Sequence, residues 1–332
     1  QLSKWKLTLN TRLALLCGTM LACCLGVAAI TLLTARSENT AATRINLAGR
    51  QRMLAQRFAK EFIDERSIRQ MAATANVFAA GVSRQTVADR VYYTTNVIGK
   101  LKREPDDFKA SSSYHSITGA VPLPATFVRE VSESLDEDAG YQFELLSKWP
   151  INTDRGLASP VSKEAWDALE LDPNTPFTKF LPDGPGVKLF YATADVANVQ
   201  GCVSCHNNDA ASPKTDFKLG DLMGVLAVSV PVTSDPTFAQ LLLQENRDET
   251  NVAWAKSRTL FETTLNALIE GGTTFTDLGM TKPIVLEPES NAETLAQLIQ
   301  VKRLWDELQH STASIESADI NSQKYMDSLK AF

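Results

Sequence analysis

Cys202-Val203-Ser204-Cys205-His206 constrains this chain more than any other stretch. C-x-x-C-H is the attachment sequence for c-type haem, in which both thiols add to the haem vinyl groups as thioethers. His206, the next residue, is then placed to bind the iron as proximal ligand. The motif occurs once, so one covalent haem c is expected. A redox dithiol does not need the histidine. A zinc site needs two further ligands, and the remaining histidines, His115 and His310, have no cysteine nearby.

Haem is joined to such motifs outside the bacterial cytoplasm, and the N-terminus carries the matching export signal. Lys4, Lys6 and Arg12 precede an uncharged run from Leu13 to Ala35. That run exceeds the roughly 20 apolar residues a helix needs to cross a bilayer. The preceding Lys and Arg place its N-terminus inside. It is long for a cleaved signal peptide, so a retained anchor is expected. The chain then reads as a cytoplasmic stub (1–12), a transmembrane helix (13–35) and a periplasmic bulk held to the inner membrane by a single pass. Cys17, Cys23 and Cys24 fall in the apolar run as small apolar residues.

Composition narrows the class further. Hydrophobic residues make up 44% and charged residues 22%, as in a folded protein. The net charge of −6 and a pI near 5.3 leave no basic footprint, so no nucleic acid partner is expected. There is no Gly-rich phosphate loop, no nucleophile motif and no singled-out carboxylate pair. No enzyme is read here and no catalytic residue is assigned.

Hydrophobic spacing gives the organisation. Residues 36–80 read as one long helix, with Leu47, Leu54, Phe58 and Phe62 at helical intervals. Residues 84–102 read as a second helix, and 127–135 as a short one. Tyr141–Leu146, Val187–Thr193 and Gly224–Val232 read as strands, the last being Val-rich and ended by Pro. Strands with flanking helices make 81–240 an α+β module. Helical periodicity returns in 241–332, with Gly271-Gly272 as a helix stop and a further helix over 291–310. The last helices are expected to pack back on the first, giving an antiparallel helical bundle with the module inserted at one end.

Two stretches resemble known families. Asn46-Leu47-Ala48-Gly49-Arg50-Gln51-Arg52-Met53-Leu54-Ala55-Gln56-Arg57 resembles the type IV pili methyl-accepting chemotaxis transducer N-terminal domain, also found in nitrate and nitrite sensors. Phe261–Gly272 and Val301-Lys302-Arg303-Leu304-Trp305 resemble its later helices. The middle of the chain resembles the haem-c-binding PAS-like domain of bacterial receptors. That likeness rests on Tyr92–Val97, Pro122–Phe127, Tyr191–Ala194, the C-x-x-C-H motif, Ser212–Asp216 and Gly220–Gly224. It implies a PAS-like fold and a sensory role. Transducers of this kind continue into a second membrane helix and a signalling domain. Neither lies before Phe332, so the chain is either a fragment or acts through a partner.

The second axial ligand is open in the sequence. Met223 would give a His/Met haem of raised potential, His115 a bis-His haem, and Met71 is a third candidate; an iron left open or water-bound is the further alternative. The ordinary alternative for the two Met is core filler. Lys188, Lys214 and Lys218 are candidates to neutralise haem propionates, and Tyr92 and Tyr93 to pack on the porphyrin edge. Arg50, Arg52 and Arg57 are candidates for a small anion, because planar guanidinium groups suit oxyanions. Ion pairing with Glu61, Asp64 and Glu65 is the plainer account of those arginines.

The expectation is therefore a membrane-anchored periplasmic c-type haem sensor of redox state or a small gas. The alternative is a monohaem electron-transfer subunit of a membrane complex. A homodimer is the expected assembly of the sensor, and a membrane-complex partner that of the alternative.

Overall fold

The computed structural model describes residues 41–101, 103, 109–135, 139–244, 254–319, 322 and 325, and gives residues 9–40 and 253 as helical backbone only. The apolar run 13–35 thus lies outside the residues whose side chains are described. Among the described residues no helix is long and apolar enough to cross a membrane. Two compact units are distinguished, one drawn from 1–63 and 248–316, the other from 64–247 and 317–331.

The second unit holds the sheet. It begins within helix α1 (Leu9–Tyr92), which continues through a π-helical segment (Tyr93–Ile98) into a last turn, α2 (Gly99–Leu101). The sequence reads as two helices here, but α1 passes through 81–83 unbroken. A helical Gly such as Gly81 costs only about 1 kcal/mol. Its neighbours offset that: Ala79 is fully buried, and the Ser83 hydroxyl lies 2.9 Å from Thr193 Oγ1.

Short parallel strands β1 (Lys109–Ser111) and β2 (Ala120–Pro122) lead into α3 (Pro124–Glu133). Then come β3 (Gln142–Leu146), α4 (Pro160–Leu171), β4 (Phe177–Asp183), β5 (Gly186–Val196), α5 (Gln200–Asn208), β6 (Leu222–Thr233) and α6 (Pro236–Leu242). Pro opens α3, α4 and α6, where the missing N–H is not needed. Ser159 caps α4 by accepting from Ser162 N–H, and Asp235 caps α6 by accepting from Thr237 N–H.

The main sheet is antiparallel, in the order β3-β6-β5-β4. Its central strands are covered on both faces, which explains why β6 reads as a Val-rich run with Ser229 as its one interior polar residue. Leu189 and Tyr191 of β5, with Leu226, Val228 and Val230 of β6, face Ala75 and Ala79 of α1 and Val128 of α3. Their neighbours Phe190, Ala192, Val225 and Ala227 face Ala165, Trp166 and Leu169 of α4. Strand β4 does not stand out in the sequence, because Pro182 interrupts it and Pro argues against a central strand. It sits at an edge, where Pro is tolerated.

The first unit is a three-helix arrangement with a hairpin. Its later elements are α7 (Ala253–Glu270), β7 (Gly272–Phe275), β8 (Pro283–Leu286) and α8 (Ala292–Ser317). Leu47 of α1 clusters with Leu268, and Phe58 meets Trp254, so α7 runs antiparallel to α1. Leu298 packs beside the Leu47 cluster and Trp305 beside Phe58, so α8 runs parallel to α1. Trp305 also stacks on Phe261, with centroids 3.9 Å apart. Return packing of the last helices on the first matches the sequence reading. The antiparallel β7–β8 hairpin between them does not stand out in the sequence.

Candidate functional site

The C-x-x-C-H motif lies on α5, and its spacing decides what each residue does. Cys202, Cys205 and His206 stand three and four residues apart, so they share one face of the helix. Val203, at the side of this face, does not line the cleft but is buried in a cluster with Ala197, Phe217 and Met223, against which Cys202 also packs. That apolar anchor fixes the rotation of α5. Residues 195–196 carry a register shift between β5 and β6, a bulge that ends the ladder just before α5 begins. Asn207, next to His206, bonds the backbone of Phe217 and draws the 209–221 loop against the helix.

The functional face opens on a cleft of about 890 Å³, within the roughly 300–1,000 Å³ range of small-molecule and cofactor sites. Cys202, Cys205, His206 and Asp209 line it from α5. Arg90 and Thr94 line it from the end of α1 and the π segment, Leu123–Thr126 and Arg129 from α3, and Gln142–Leu146 from β3. Trp149, Arg155, Asp195 and Met223 complete the walls. A π segment and a bulge thus border the same cleft, and such irregularities are frequent at functional sites.

The electrostatics suit ligation. Burial pushes the His206 imidazole below its ordinary pKa, against the opposing pull of Asp195 and Asp209. The ring is therefore neutral near pH 7, the form that binds metals. Its Nδ1 is buried without a hydrogen-bond partner. Neither Cys202 nor Cys205 is in a disulfide. Burial raises the Cys202 thiol pKa, and Arg90 opposes that rise. Arg90 and Asp195 form a two-bond ion pair beside them, one bond at 2.8 Å. Burial pulls the Arg90 guanidinium down, but Asp195 more than offsets it and holds Arg90 above the ordinary value. Among the described residues no group of three or more His, Cys, Asp or Glu is arranged to hold a bare metal ion. The donor set fits instead a group that takes two sulfurs from one helix face and a neutral imidazole beside them.

The other residues singled out in the sequence separate. Met223 lines the cleft and is also buried in the Val203 cluster. His115 and Met71 do not line it. His115 is an exposed side chain 3.5 Å from Glu130. Lys188 pairs with Asp183, and Lys214 pairs with Asp216 while lying over the Trp149 and Phe217 rings. Neither lines the cleft, nor does Lys218; the arginines that do are Arg90, Arg129 and Arg155. Tyr93 stacks on Phe127 and donates to the Pro122 carbonyl, whereas Tyr92 is exposed.

The arginine set of the first unit does not converge. Arg50 donates to the Phe275 carbonyl and to Thr264 Oγ1, and burial lowers its pKa against the pull of Asp277. Arg57 pairs with Glu61 at 2.7 Å, and Arg52 is exposed. Arg90, Asp195 and Trp149 were not legible as site residues. A lone Arg on a helix and an Asp at a strand end carry no spacing that marks them.

Fold and site together define a class: an α+β module with a C-x-x-C-H helix set in the wall of a cofactor-sized cleft. The chain belongs to the Tll0287-like family, whose model matches residues 51–231, a span that contains α5, the residues named as lining the cleft and all of the main sheet but the last two residues of β6. Among solved structures, the crystal structure of the cyanobacterial heme-protein Tll0287 aligns with 15% identity over 46% of this chain and 95% of that chain, at a TM-score of 0.30. No curated protein matches the chain.

Proposed function

We propose that this protein binds one haem c covalently through Cys202 and Cys205, with His206 as proximal ligand, and works as a membrane-anchored periplasmic sensor of redox state or a small gas. One observation carries the reading: a single face of α5 presents two thiols outside any disulfide and a buried, neutral imidazole to a cleft of cofactor size. Membership of the Tll0287-like family agrees with it, since the protein for which the family is named is described as a heme-protein. When bound, haem supplies a one-electron couple and an iron that takes small ligands.

The chain's own residues would then have distinct tasks. Val203 holds the helix so that both sulfurs reach the cleft. Phe217 fixes the His206 ring edge-on, with centroids 5.7 Å apart. Met223 is the proposed second axial ligand, because of the candidates only it lines the cleft. Beside Arg90, the cleft cations are Arg129, paired with Glu130 and Glu133, and Arg155, paired with Glu133 and Glu144; they would hold propionates by exchanging those carboxylates. The last turns of α1 border the site, and the same helix runs back to Leu9, toward the proposed anchor at 13–35. A PAS-like module on a receptor-type bundle, acting as a homodimer, is the assembly proposed for this role.

The test is expression with a haem c maturation system. The native chain should show the added mass of one haem after denaturation, and Cys202→Ala with Cys205→Ala should abolish it. No added mass, or bound zinc, would overturn the reading. An electron-transfer subunit is the competing outcome. A haem that takes up no carbon monoxide or nitric oxide in either redox state, and exchanges electrons rapidly with a soluble cytochrome, would decide for it.

A further inference from the structure

The Arg90–Asp195 pair has no evident structural reason to be ionic. Its side chains are only 13% and 14% exposed. A buried ion pair of this kind commonly loses more in desolvation than its attraction returns, and apolar replacements are often as stable. It is also not a peripheral bridge. Arg90 comes from the end of α1 and Asp195 from the end of β5, and both line the cleft with Cys202 and His206. Gly224 lies beside the pair: a Cβ there would make ordinary contact with Asp195 Oδ2 at 3.5 Å, while clashing with the Leu146 carbonyl at 2.8 Å.

Each member also acts on a group that would carry the cofactor. Arg90 favours the charged form of Cys202, whereas Asp195 disfavours it. In a largely buried site, charges this close interact much more strongly than in water.

We infer that Arg90 and Asp195 are positioning residues that set the reduction potential of the group held by Cys202, Cys205 and His206, Arg90 favouring the reduced state and Asp195 the oxidised state. This rests on the haem reading above. The step concerned is uptake of one electron from an external one-electron donor, which is oxidised as ferric iron becomes ferrous; no covalent bond forms or breaks. Reduction lowers the positive charge at the iron by one. A nearby cation therefore favours it and a nearby anion opposes it. The parent pair nearly cancels at long range, so each single replacement exposes the other member.

The experiment is a redox titration of the haem-loaded full chain with its Arg90→Gln, Arg90→Lys and Asp195→Asn variants and the Arg90→Gln/Asp195→Asn double variant. Arg90→Gln should lower the midpoint and Asp195→Asn should raise it. Each shift should be at least tenfold in the reduction equilibrium, 59 mV for one electron. Arg90→Lys and the double variant should return toward the parent. Shifts of the same sign, or all below threefold, would overturn the inference. A second readout needs no cofactor. In apo Cys205→Ala chains at fixed pH, alkylation of Cys202 should slow with Arg90→Gln and quicken with Asp195→Asn. If that pattern holds while no variant takes up haem, the haem reading fails and the pair's action on the site stands. If the variants load haem but neither readout moves, the pair has no such role. Should Arg90→Gln fail to fold, Arg90→Lys and Asp195→Asn carry the sign test alone.

Discussion

Asn207 grips Phe217 at both ends of its backbone: Phe217 N–H donates to Asn207 Oδ1, and Asn207 Nδ2 donates to the Phe217 carbonyl, each at 2.9 Å. Phe217 in turn meets His206 edge-on at 87°. The residue beside the proposed iron ligand thus fixes the ring that orients that ligand. Asn207→Ala removes two partly buried hydrogen bonds, each worth about 1 kcal/mol net. Thermal unfolding should fall by several degrees, on the scale of roughly 2–4 °C per kcal/mol for a unit of this size. Asn207→Asp, which keeps the acceptor, should lie between Ala and the parent. Unchanged melting in Asn207→Ala would show that the grip contributes nothing.

Met223 gives a test of the second ligand. Met-to-Leu exchange in a core usually costs less than about 1.5 kcal/mol, so Met223→Leu should fold normally. A methionine ligand raises the haem potential, and its loss should lower the midpoint and open the iron to carbon monoxide. An unaltered spectrum and midpoint would return Met223 to the core alone, where it already packs with Val203 and Phe217.

Gly186 starts β5 where the backbone of the 233–234 turn lies against it. A Cβ there would come within 2.1 Å of the Thr233 carbonyl and 2.9 Å of Ser234 Cα. These are backbone atoms and cannot swing aside. Gly186→Ala should destabilise by about 1–3 kcal/mol or more, as overpacking does. Gly201→Ala, whose Cβ would make only ordinary contact with Thr94 and Val199, is the control. Equal melting temperatures for the two variants would contradict the register of β5 against β6.

Asp277 should control the acid limb of the β7–β8 hairpin. Desolvation alone would raise its pKa. The Lys282 and Thr281 backbone N–H groups and the Thr281 hydroxyl bond the carboxylate and bring it below 3.8. With the folded pKa depressed, the stabilisation is fully present above 3.8 and is lost as pH falls through the lower folded value. Hydrogen exchange at Thr281 and Lys282 should therefore quicken in that acid window and not above it. Asp277→Asn should remove the pH step. A parent chain without the step would refute the assignment.

What was legible in the sequence followed the strength of local signals. Strand β6 was clear because burial on both faces makes it Val-rich and almost wholly apolar, Ser229 and the terminal Thr233 being its polar residues. Gly271 and Gly272, at φ of 79° and 117°, stop α7 where the sequence reads a stop. The motif itself named Cys202, Cys205 and His206 as one site. What escaped depends on contacts between distant residues. Arg90 and Asp195 meet only because the end of α1 lies across the end of β5. The β7–β8 hairpin is short and half polar, and β4 is masked by Pro182. At 81–83 local propensity suggested a break, but packing of α1 on the sheet overrode it.

The order of the main sheet has a consequence for how the molecule behaves in crowded solution. An open sheet has two edges, and an edge with free ladder groups invites another chain to add on. Along β3, Phe143 N–H donates to Ser132 Oγ, and just past its end Ser147 N–H donates to the Arg155 carbonyl, so the pattern an incoming strand would need is already interrupted. Along β4, Pro182 has no N–H to offer, and Lys179 places a charge in the strand. Both rims are thus poor templates for chain addition, and the sheet is protected from edge-to-edge aggregation by a hydroxyl, a loop carbonyl and a proline.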